Sequence, residues 1–234
     1  CYMPQNYDGK HLGPITLRNA LAQSRNVPAV QLLYLAGLKD SIKQARDMGI
    51  TTLSDNADYG LTLVLGGGEV SLLDMVSSYG TFAHEGVHMA PTGILEIKDR
   101  DGVILETFTP KPETVLDRNV ALTISDILSD NVARAPLFGS NSFLYFGGTD
   151  VAGKTGTTNS NKDAWLLGYS PSIALGVWSG NNDNTSMKKG SAISGPAWRE
   201  YMDLALAKYP GGNFPDPVYD YKNDFSVKPL FRGI

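Results

Sequence analysis

Residues 151–157 have the sequence Val151-Ala152-Gly153-Lys154-Thr155-Gly156-Thr157 and form the first of three predicted β-strands. The second strand is predicted at 164–169 and the third at 173–179. The tight turn Ser170-Pro171-Ser172 separates these last two strands, so they are expected to pair antiparallel. A nearly unbroken apolar run in the second strand, Trp165-Leu166-Leu167, indicates that this strand is buried on both faces of its sheet.

The rest of the chain is predicted to be mainly helical around this strand set. Helices are predicted at 17–22, 28–35, 39–48, 72–83, 117–132 and 196–208, and a hairpin at 92–98 and 103–108. Residues 135–150, which are rich in Gly, Ser and Asn, are predicted to be a loop. Helices first, then strands, then a closing helix predict an α+β domain with an antiparallel sheet. We assign residues 1–208 to this domain and residues 209–234 to a C-terminal extension or linker.

The composition argues against several classes of protein. A net charge of −4 and the lack of a Lys/Arg cluster argue against nucleic-acid binding. The single cysteine, Cys1, excludes an internal disulfide and a multi-cysteine metal site, and the histidines are too scattered to bind a metal. We therefore expect no cofactor and no metal. The chain has no apolar window of membrane-spanning length, no secretion signal and no initiator methionine. It is therefore predicted to be a fragment, with any anchor or export element upstream.

Lys154-Thr155-Gly156-Thr157 has the residues of a peptide-binding strand. Successive side chains of a strand alternate between faces, so Thr155 and Thr157 share one face, where their hydroxyls could bind a carboxylate. Gly156 has no side chain, so a substrate backbone could lie along this strand as an added strand. The N–H of Thr157 could donate to a developing oxyanion. The alternative interpretation is a polar strand end with an incidental lysine.

A second signature, Ser24-Arg25-Asn26, lies between the first two predicted helices. Ser and Asn are common at helix ends because their side chains bond to local backbone groups, so a cap or a turn is the alternative for this tripeptide. A functional interpretation requires a loop that presents the Ser24 hydroxyl and the Asn26 amide to a cleft. The predicted helix before Ser24 and the predicted helix that begins at Pro28 supply such a loop.

The two signatures occur in the order typical of one family. Ser-x-Asn followed by Lys-Thr-Gly on a strand matches two of the three active-site motifs of penicillin-binding proteins and class A β-lactamases. The surrounding residues that make the resemblance specific are Asn6-Tyr7-Asp8-Gly9, the runs Leu17 to Val30 and Val151 to Thr158, Asp163-Ala164-Trp165, Gly168-Tyr169-Ser170-Pro171, Gly176-Val177-Trp178 and Asn181-Asn182-Asp183-Asn184-Thr185. Over residues 5–207 the chain resembles the transpeptidase domain of class A penicillin-binding proteins.

The resemblance implies a fold, a reaction and a cellular location. The fold would be the α+β fold of penicillin-binding proteins and serine β-lactamases, with the antiparallel sheet packed between helical layers and the N-terminal part missing. The reaction would be peptidoglycan D,D-transpeptidation, which cross-links stem peptides that end in D-Ala-D-Ala and is blocked by β-lactams. The intact protein would carry an upstream glycosyltransferase domain and a membrane anchor, and would act on the extracytoplasmic face of a bacterial cytoplasmic membrane.

The resemblance also implies roles for individual residues. Ser24 would join a proton relay, Asn26 would hydrogen-bond the substrate amide, and Lys154 would provide positive potential and help position Ser24. The threonine hydroxyls would bind the terminal carboxylate, and a backbone N–H would form half of the oxyanion hole. The implied catalytic residues are Ser24, Asn26, Lys154 and Thr157, and the implied substrate-binding residues are Thr155, Gly156 and Thr157.

The third motif of the family, Ser-x-x-Lys with its nucleophilic serine, does not precede Ser24 in this chain. The run Ser186-Met187-Lys188-Lys189 fits the pattern, but it follows the Lys-Thr-Gly strand and is predicted to be an exposed loop, where a lysine is a poor base. The chain alone is therefore expected to be inactive. The alternative is a non-catalytic cell-wall-binding or structural module with a degenerate cleft. A β-lactamase is disfavoured because no segment resembles its water-activating carboxylate loop.

Overall fold

The computed structural model describes residues 3–54, 58–188, 190 and 192–218, which form helices around a three-stranded sheet. The α-helices are α1 (Leu17–Ala22), α2 (Asn26–Ala36), α3 (Leu38–Asp47), α4 (Leu72–Ala83), α5 (Arg118–Ser129), α6 (Asn131–Phe138) and α7 (Ser194–Lys208). The strands are β1 (Val87–His88), β2 (Glu96–Lys98), β3 (Ile104–Thr107), β4 (Glu113–Thr114), β5 (Ala152–Thr157), β6 (Asp163–Ser170) and β7 (Ile173–Gly180). Short 3-10 helices lie at Leu61–Leu65 and Asn159–Asn161. No helix among the described residues has the length and apolar character that a membrane span needs.

The central sheet has the order β5-β6-β7, and both pairs of neighbours are antiparallel. Gly156 of β5 lies opposite Trp165 of β6, and Ser170 lies opposite Ile173 across the turn into β7. The three strands and the antiparallel turn that the sequence predicts are therefore confirmed. Within the described residues no strand pairs with the outer edge of β5, which leaves that edge open.

Helices cover the sheet on both faces. On one face Trp198 of α7 is fully buried and packs in one cluster with Leu166 of β6. On the other face Tyr169 of β6, also fully buried, packs in a second cluster with Ala83 of α4 and Leu128 of α5. Residues an odd number apart on a strand point to opposite faces, which explains why β6 feeds both clusters. The predicted burial of this strand on both faces is confirmed.

Side-chain caps fix the starts of two helices where the sequence predicts them. The Thr16 hydroxyl accepts from the N–H of Asn19 at the start of α1, and the Ser71 hydroxyl accepts from the N–H of Asp74 at the start of α4. Each cap satisfies an N–H that has no partner inside its helix. Helix α2 begins at Asn26, two residues before the predicted start, because Pro28 fits within the first turn, where its missing N–H is not needed.

One predicted helix is wrong. The continuous helix predicted at 117–132 is two helices, α5 and α6, with a break at Asp130. Asp130 has an extended backbone, and its side chain accepts from the N–H of Ala133, so it caps α6 rather than continuing α5. Helix α6 contains Pro136 and runs to Phe138, so residues 135–138 of the predicted loop are helical. The small antiparallel pair of β1 and β4 was also not predicted from the sequence.

The first part of the predicted C-terminal extension packs against the domain. The ring of Phe214 lies edge-on to Tyr169, with ring centroids 5.4 Å apart. The N–H of Val218 donates to the Asn119 side chain at 2.6 Å, and the Asn119 side chain donates back to the Val218 carbonyl at 2.9 Å. Residues 219–234 lie outside the described residues, as do Cys1 and Tyr2. The division at residue 208 remains a prediction.

Candidate active site

The two signatures meet in the folded chain. The ammonium of Lys154 donates to the Ser24 hydroxyl, with Nζ and Oγ 2.6 Å apart, although the residues are 130 positions apart in the sequence. Lys154 also donates to the carbonyl of its neighbour Thr155 at 2.9 Å. Strand β5 holds the lysine and the α1–α2 junction holds the serine, so the sheet and the helical layer each provide one side of the contact.

The junction that carries Ser24 has an uncommon backbone conformation. Ser24 has a φ of 53°, in the left-handed region that non-glycine residues seldom adopt. Its N–H donates to the Leu21 carbonyl at 3.1 Å, and the N–H of Arg25 donates to the Ala20 carbonyl at 2.9 Å. These bonds close the C-terminus of α1 immediately before α2 begins at Asn26. The hydroxyl of Ser24 is therefore presented from a tight, strained turn between two helices.

Burial changes the acid–base chemistry of Lys154. It lowers the pKa of the Lys154 ammonium from 10.5 to about 8, because the charged form loses hydration in the interior. A lysine with such a pKa exists partly as the neutral amine near physiological pH, whereas an ordinary lysine is almost fully charged. Lys154 can therefore bind or release a proton near neutral pH, and its charged form places a positive charge beside the Ser24 hydroxyl.

The open edge of β5 presents backbone donors. The N–H of Thr158 donates to the Asp163 carbonyl at 3.1 Å, so it points toward β6. Successive N–H groups of a strand point in opposite directions, so the N–H groups of Thr157 and Thr155 point to the open edge. Gly156 lies between them without a side chain that would block an incoming backbone. Strand alternation also places the side chains of Thr155 and Thr157 on the face opposite Lys154.

Asn26 lies in the first turn of α2, two residues after Ser24. Its side-chain amide donates to the backbone carbonyl of Gln5 at 2.9 Å. The sequence places Asn26 in the site through its motif alone and gives no sign that residue 5 would orient its amide. Ser24, Asn26 and Lys154 are thus brought to one region, with Thr155, Gly156 and Thr157 on the adjoining strand edge.

Asp163 organises the loop that follows β5. One oxygen of its carboxylate accepts from the Thr158 hydroxyl at 2.8 Å, and the other accepts from the Trp178 indole N–H at 3.0 Å. These two bonds tie the end of β5 to β7 across β6. Asp163 belongs to the Asp163-Ala164-Trp165 run, which is one of the runs that carry the family resemblance. Its contacts with Thr158 and Trp178 indicate that it orders the loop rather than taking part in catalysis.

The loop that contains Ser186 and Gly190 lies beside Thr157 of the site. The sequence does not reveal this position of the loop. Ser186 and Lys188 are exposed, as the sequence predicts for this loop, and Lys189 lies outside the described residues. The N–H of Met187 donates to the Asn161 carbonyl at 2.9 Å, which fastens the loop to the segment after β5. A β-carbon at Gly190 would lie 2.9 Å from the Thr157 methyl carbon and 3.2 Å from the Thr157 hydroxyl.

Gly190→Ala is therefore expected to displace Thr157 or the loop and to lower the free energy of unfolding by about 1–3 kcal/mol. Gly93→Ala is the matched control, because a β-carbon there meets nothing within 4 Å, and its effect should stay within about 0.5 kcal/mol. Urea denaturation measures both. Equal stabilities of the two variants would show that Gly190 is not in close contact with Thr157.

Comparison with known proteins shows which family the chain matches. The family model described as the penicillin binding protein transpeptidase domain matches residues 2–203. Penicillin-binding protein 1A of Aquifex aeolicus is 36% identical over 232 residues, which are 98% of this chain and 31% of that protein. The chain therefore spans about a third of the length of this curated relative.

Two solved structures share the fold. The PonA1 protein from Mycobacterium tuberculosis in complex with penicillin V superposes with a TM-score of 0.80 at 25% identity, over 92% of this chain and 62% of that one. Penicillin-binding protein 1A from Haemophilus influenzae also gives a TM-score of 0.80 at 25% identity, over 92% of this chain and 38% of that one. With its antiparallel sheet between helical layers, this chain belongs to the penicillin-binding protein transpeptidase family, in the class A group that includes penicillin-binding protein 1A.

Proposed function

We propose that these residues form part of a serine-type D,D-transpeptidase that cross-links peptidoglycan stem peptides ending in D-Ala-D-Ala. The observation that carries the proposal is the 2.6 Å contact between Lys154 Nζ and Ser24 Oγ, which joins the strand and loop signatures into one site. In this reaction a serine oxygen attacks the carbonyl between the two D-alanines, the terminal D-alanine leaves, and an amine of a neighbouring stem then displaces the serine.

The residues of the site match the needs of that reaction. Proton transfer accompanies both attack and departure, and the Lys154–Ser24 pair, with a lysine pKa of about 8, can pass a proton in either direction. The N–H of Thr157 points to the open strand edge, where it would donate to the oxyanion of the tetrahedral intermediate. The hydroxyls of Thr155 and Thr157 would bind the terminal carboxylate, while Gly156 would admit the substrate backbone. Asn26 would hydrogen-bond the substrate amide.

These 234 residues do not supply the attacking serine of the Ser-x-x-Lys motif in front of Ser24. No Ser-x-x-Lys precedes Ser24, and Ser186, the serine of the run at 186–189, is exposed in the loop where the N–H of Met187 donates to the Asn161 carbonyl. We therefore propose that the chain by itself is not acylated by β-lactams and that the serine is encoded upstream. On the same proposal, a glycosyltransferase domain and a membrane anchor precede it and hold the domain on the extracytoplasmic face of the bacterial membrane. If no upstream serine exists, the same cleft would serve as a non-catalytic cell-wall-binding module.

Labelling with a fluorescent penicillin tests this proposal. The 234-residue chain is expected to form no covalent adduct, whereas the protein expressed from the complete gene is expected to become labelled at a Ser-x-x-Lys serine. Lys154→Ala in that protein should lower the labelling rate by roughly 100-fold, because it removes the cation beside Ser24. Labelling of the short chain at Ser186 would contradict the proposal that the chain by itself is not acylated. A complete gene without the serine would favour the binding module.

A further inference from the structure

The segment 5–10 packs directly against the Ser24-Arg25-Asn26 signature. We propose that Asp8 is a positioning residue, which acts through Arg25 to hold Ser24 in contact with Lys154. The inference deepens the proposed transpeptidase function and rests on it for its catalytic consequence. The positioning itself is a property of the folded chain and can be measured without any reaction.

An ion pair joins the segment to the signature. The carboxylate of Asp8 accepts from the guanidinium of Arg25 at 2.8 Å. Arg25 retains only 8% of its side-chain exposure while Asp8 retains 27%, so a mostly buried cation is neutralised by a carboxylate at the rim of the site. This bond to Arg25 and a bond from the Lys10 N–H hold the pKa of Asp8 below its usual value, although burial opposes the shift. Loss of the carboxylate would leave a buried guanidinium without this partner.

Two further hydrogen bonds connect the same pair of segments. The side-chain oxygen of Asn6 accepts from the N–H of Val27 at 3.2 Å, in the first turn of α2. The side-chain amide of Asn26 donates to the Gln5 carbonyl at 2.9 Å. The segment therefore contacts the residues that follow Ser24 at three successive positions, and each contact uses a different residue of the segment.

The segment is itself a closed turn, so it can hold the signature in place. The N–H of Gly9 donates to the Asn6 carbonyl at 2.9 Å, and the N–H of Lys10 donates to the Asp8 carboxylate at 3.0 Å. The Asn6 side-chain amide donates to the Lys10 carbonyl at 2.7 Å. Asp8 thus bonds both within its own turn and to Arg25, which fixes its carboxylate from two sides.

The ion pair between Asp8 and Arg25 lies next to a residue with a strained backbone, Ser24. Ser24 has a φ of 53°, and a non-glycine residue in that region persists only where the surrounding structure holds it there. Arg25 is the next residue, so the force that fixes its side chain also restrains the strained peptide beside it. Without the ion pair, Ser24 could relax toward an ordinary backbone conformation, and its hydroxyl would move away from Lys154.

The same contacts also orient Asn26. One N–H of its amide donates to the Gln5 carbonyl at 2.9 Å, and this bond restricts the rotation of the amide. A substrate amide would meet a preset acceptor and donor instead of a rotating side chain. The segment 5–10 therefore acts on Asn26 directly and on Ser24 through Arg25, and Asp8 supplies its charged contact.

Nuclear magnetic resonance of the 234-residue chain tests the positioning directly. Asp8→Asn removes the charge at constant shape, and Glu96→Gln is the control for the loss of one negative charge, because Glu96 forms an ion pair with Lys98 that is exposed and lies on the β2–β3 hairpin. If Asp8 positions Ser24, Asp8→Asn shifts the side-chain resonances of Ser24 and Lys154 and Glu96→Gln leaves them unchanged. If Asp8→Asn lowers stability but leaves those resonances in place, Asp8 is only a structural ion-pair partner and the proposal is overturned.

A second variant covers the case in which Asp8→Asn does not fold. Asp8→Glu keeps the charge and moves the carboxylate by one methylene, so it should produce smaller shifts in the same Ser24 and Lys154 resonances. Unchanged resonances in a folded Asp8→Glu variant would then count against the proposal.

The catalytic consequence is measured in the protein expressed from the complete gene. Asp8→Asn should lower the rate of acylation at saturating penicillin by roughly 10- to 100-fold, the penalty of a small misplacement in an active site, while Glu96→Gln leaves it unchanged. Normal acylation by the Asp8→Asn protein would overturn the catalytic part of the inference. If even the unmodified protein is not acylated, the transpeptidase proposal fails, and the resonance measurement alone then decides whether Asp8 positions Ser24.

Discussion

Trp198→Ala is expected to lower the free energy of unfolding by about 3–5 kcal/mol, which is the usual penalty for truncating a fully buried large aromatic residue. Trp198 has no exposed surface, and its indole N–H donates to the Leu175 carbonyl at 3.1 Å. Its ring also packs edge-on against Phe146, with centroids 5.8 Å apart. The substitution would open a cavity between α7 and the sheet and leave the Leu175 carbonyl without this donor. Urea denaturation followed by circular dichroism measures the loss.

Gly168→Ala provides the partner for a double-mutant cycle with Trp198→Ala. A β-carbon at Gly168 would lie 2.4 Å from an indole carbon of Trp198 and 2.6 Å from the Ala152 carbonyl oxygen. Alone it should destabilise the protein by about 1–3 kcal/mol through overpacking. In the Trp198→Ala background part of that clash disappears, so the double variant should be more stable than the sum of the single effects predicts. Strictly additive losses would show that the indole does not lie against Gly168.

The sequence predicts those parts of the fold that local chemistry determines. Thr16 and Ser71 cap the helices that follow them, and Ser170-Pro171-Ser172 forms the turn between β6 and β7. These features can be predicted because each depends on only three or four consecutive residues. The break between α5 and α6 was missed because the apolar pattern continues across it. Asp130 also bonds to Arg18 of α1 at 3.0 Å, a contact between residues 112 positions apart that no local pattern contains.

The same distinction applies to the candidate site. Lys154-Thr155-Gly156 and Ser24-Arg25-Asn26 are visible as motifs, and their meeting could be expected once the resemblance joined them. Their supports could not be predicted in the same way. Asp8 is found only through its contact with Arg25, and Gly190 only through its approach to Thr157. Asp8 stands in one of the runs that carry the resemblance, but that run does not show that Asp8 pairs with Arg25. Gly190 stands in a loop where Gly is common for local reasons, so the sequence does not distinguish it from an ordinary turn residue.

Lys154→Met is expected to change how stability depends on pH. Burial lowers the pKa of Lys154 to about 8, so between pH 8 and 10.5 the unfolded chain binds this proton and the folded chain has lost it. Unfolding therefore takes up a proton in this range, and stability rises with pH. Relative to that of the methionine variant, the free energy of unfolding of the unmodified chain should rise by about 2 kcal/mol between pH 7 and pH 9.5, since each pKa unit corresponds to about 1.4 kcal/mol.

The comparison between the two chains isolates Lys154 from other titrating groups. Burial raises the pKa of Tyr79 to about 12 and also raises that of Tyr169, so both tyrosines begin to lower stability as the unfolded chain ionises above pH 10. Stopping at pH 9.5 avoids most of that effect, and the remainder cancels between the chains. Lys39→Met, on the exposed side of α3, controls for the change in net charge.

A common pH profile for the unmodified chain and Lys154→Met would show that Lys154 keeps an ordinary pKa and is more hydrated than its contacts imply. It would also weaken the proposed proton transfer, because a fully charged lysine cannot accept a proton from Ser24. The expected divergence has the opposite meaning. At neutral pH the protein holds a partly buried ammonium at a cost in stability that a methionine would not incur. Such a cost is typical of residues retained for chemistry rather than for packing, and here it falls on the lysine that contacts Ser24.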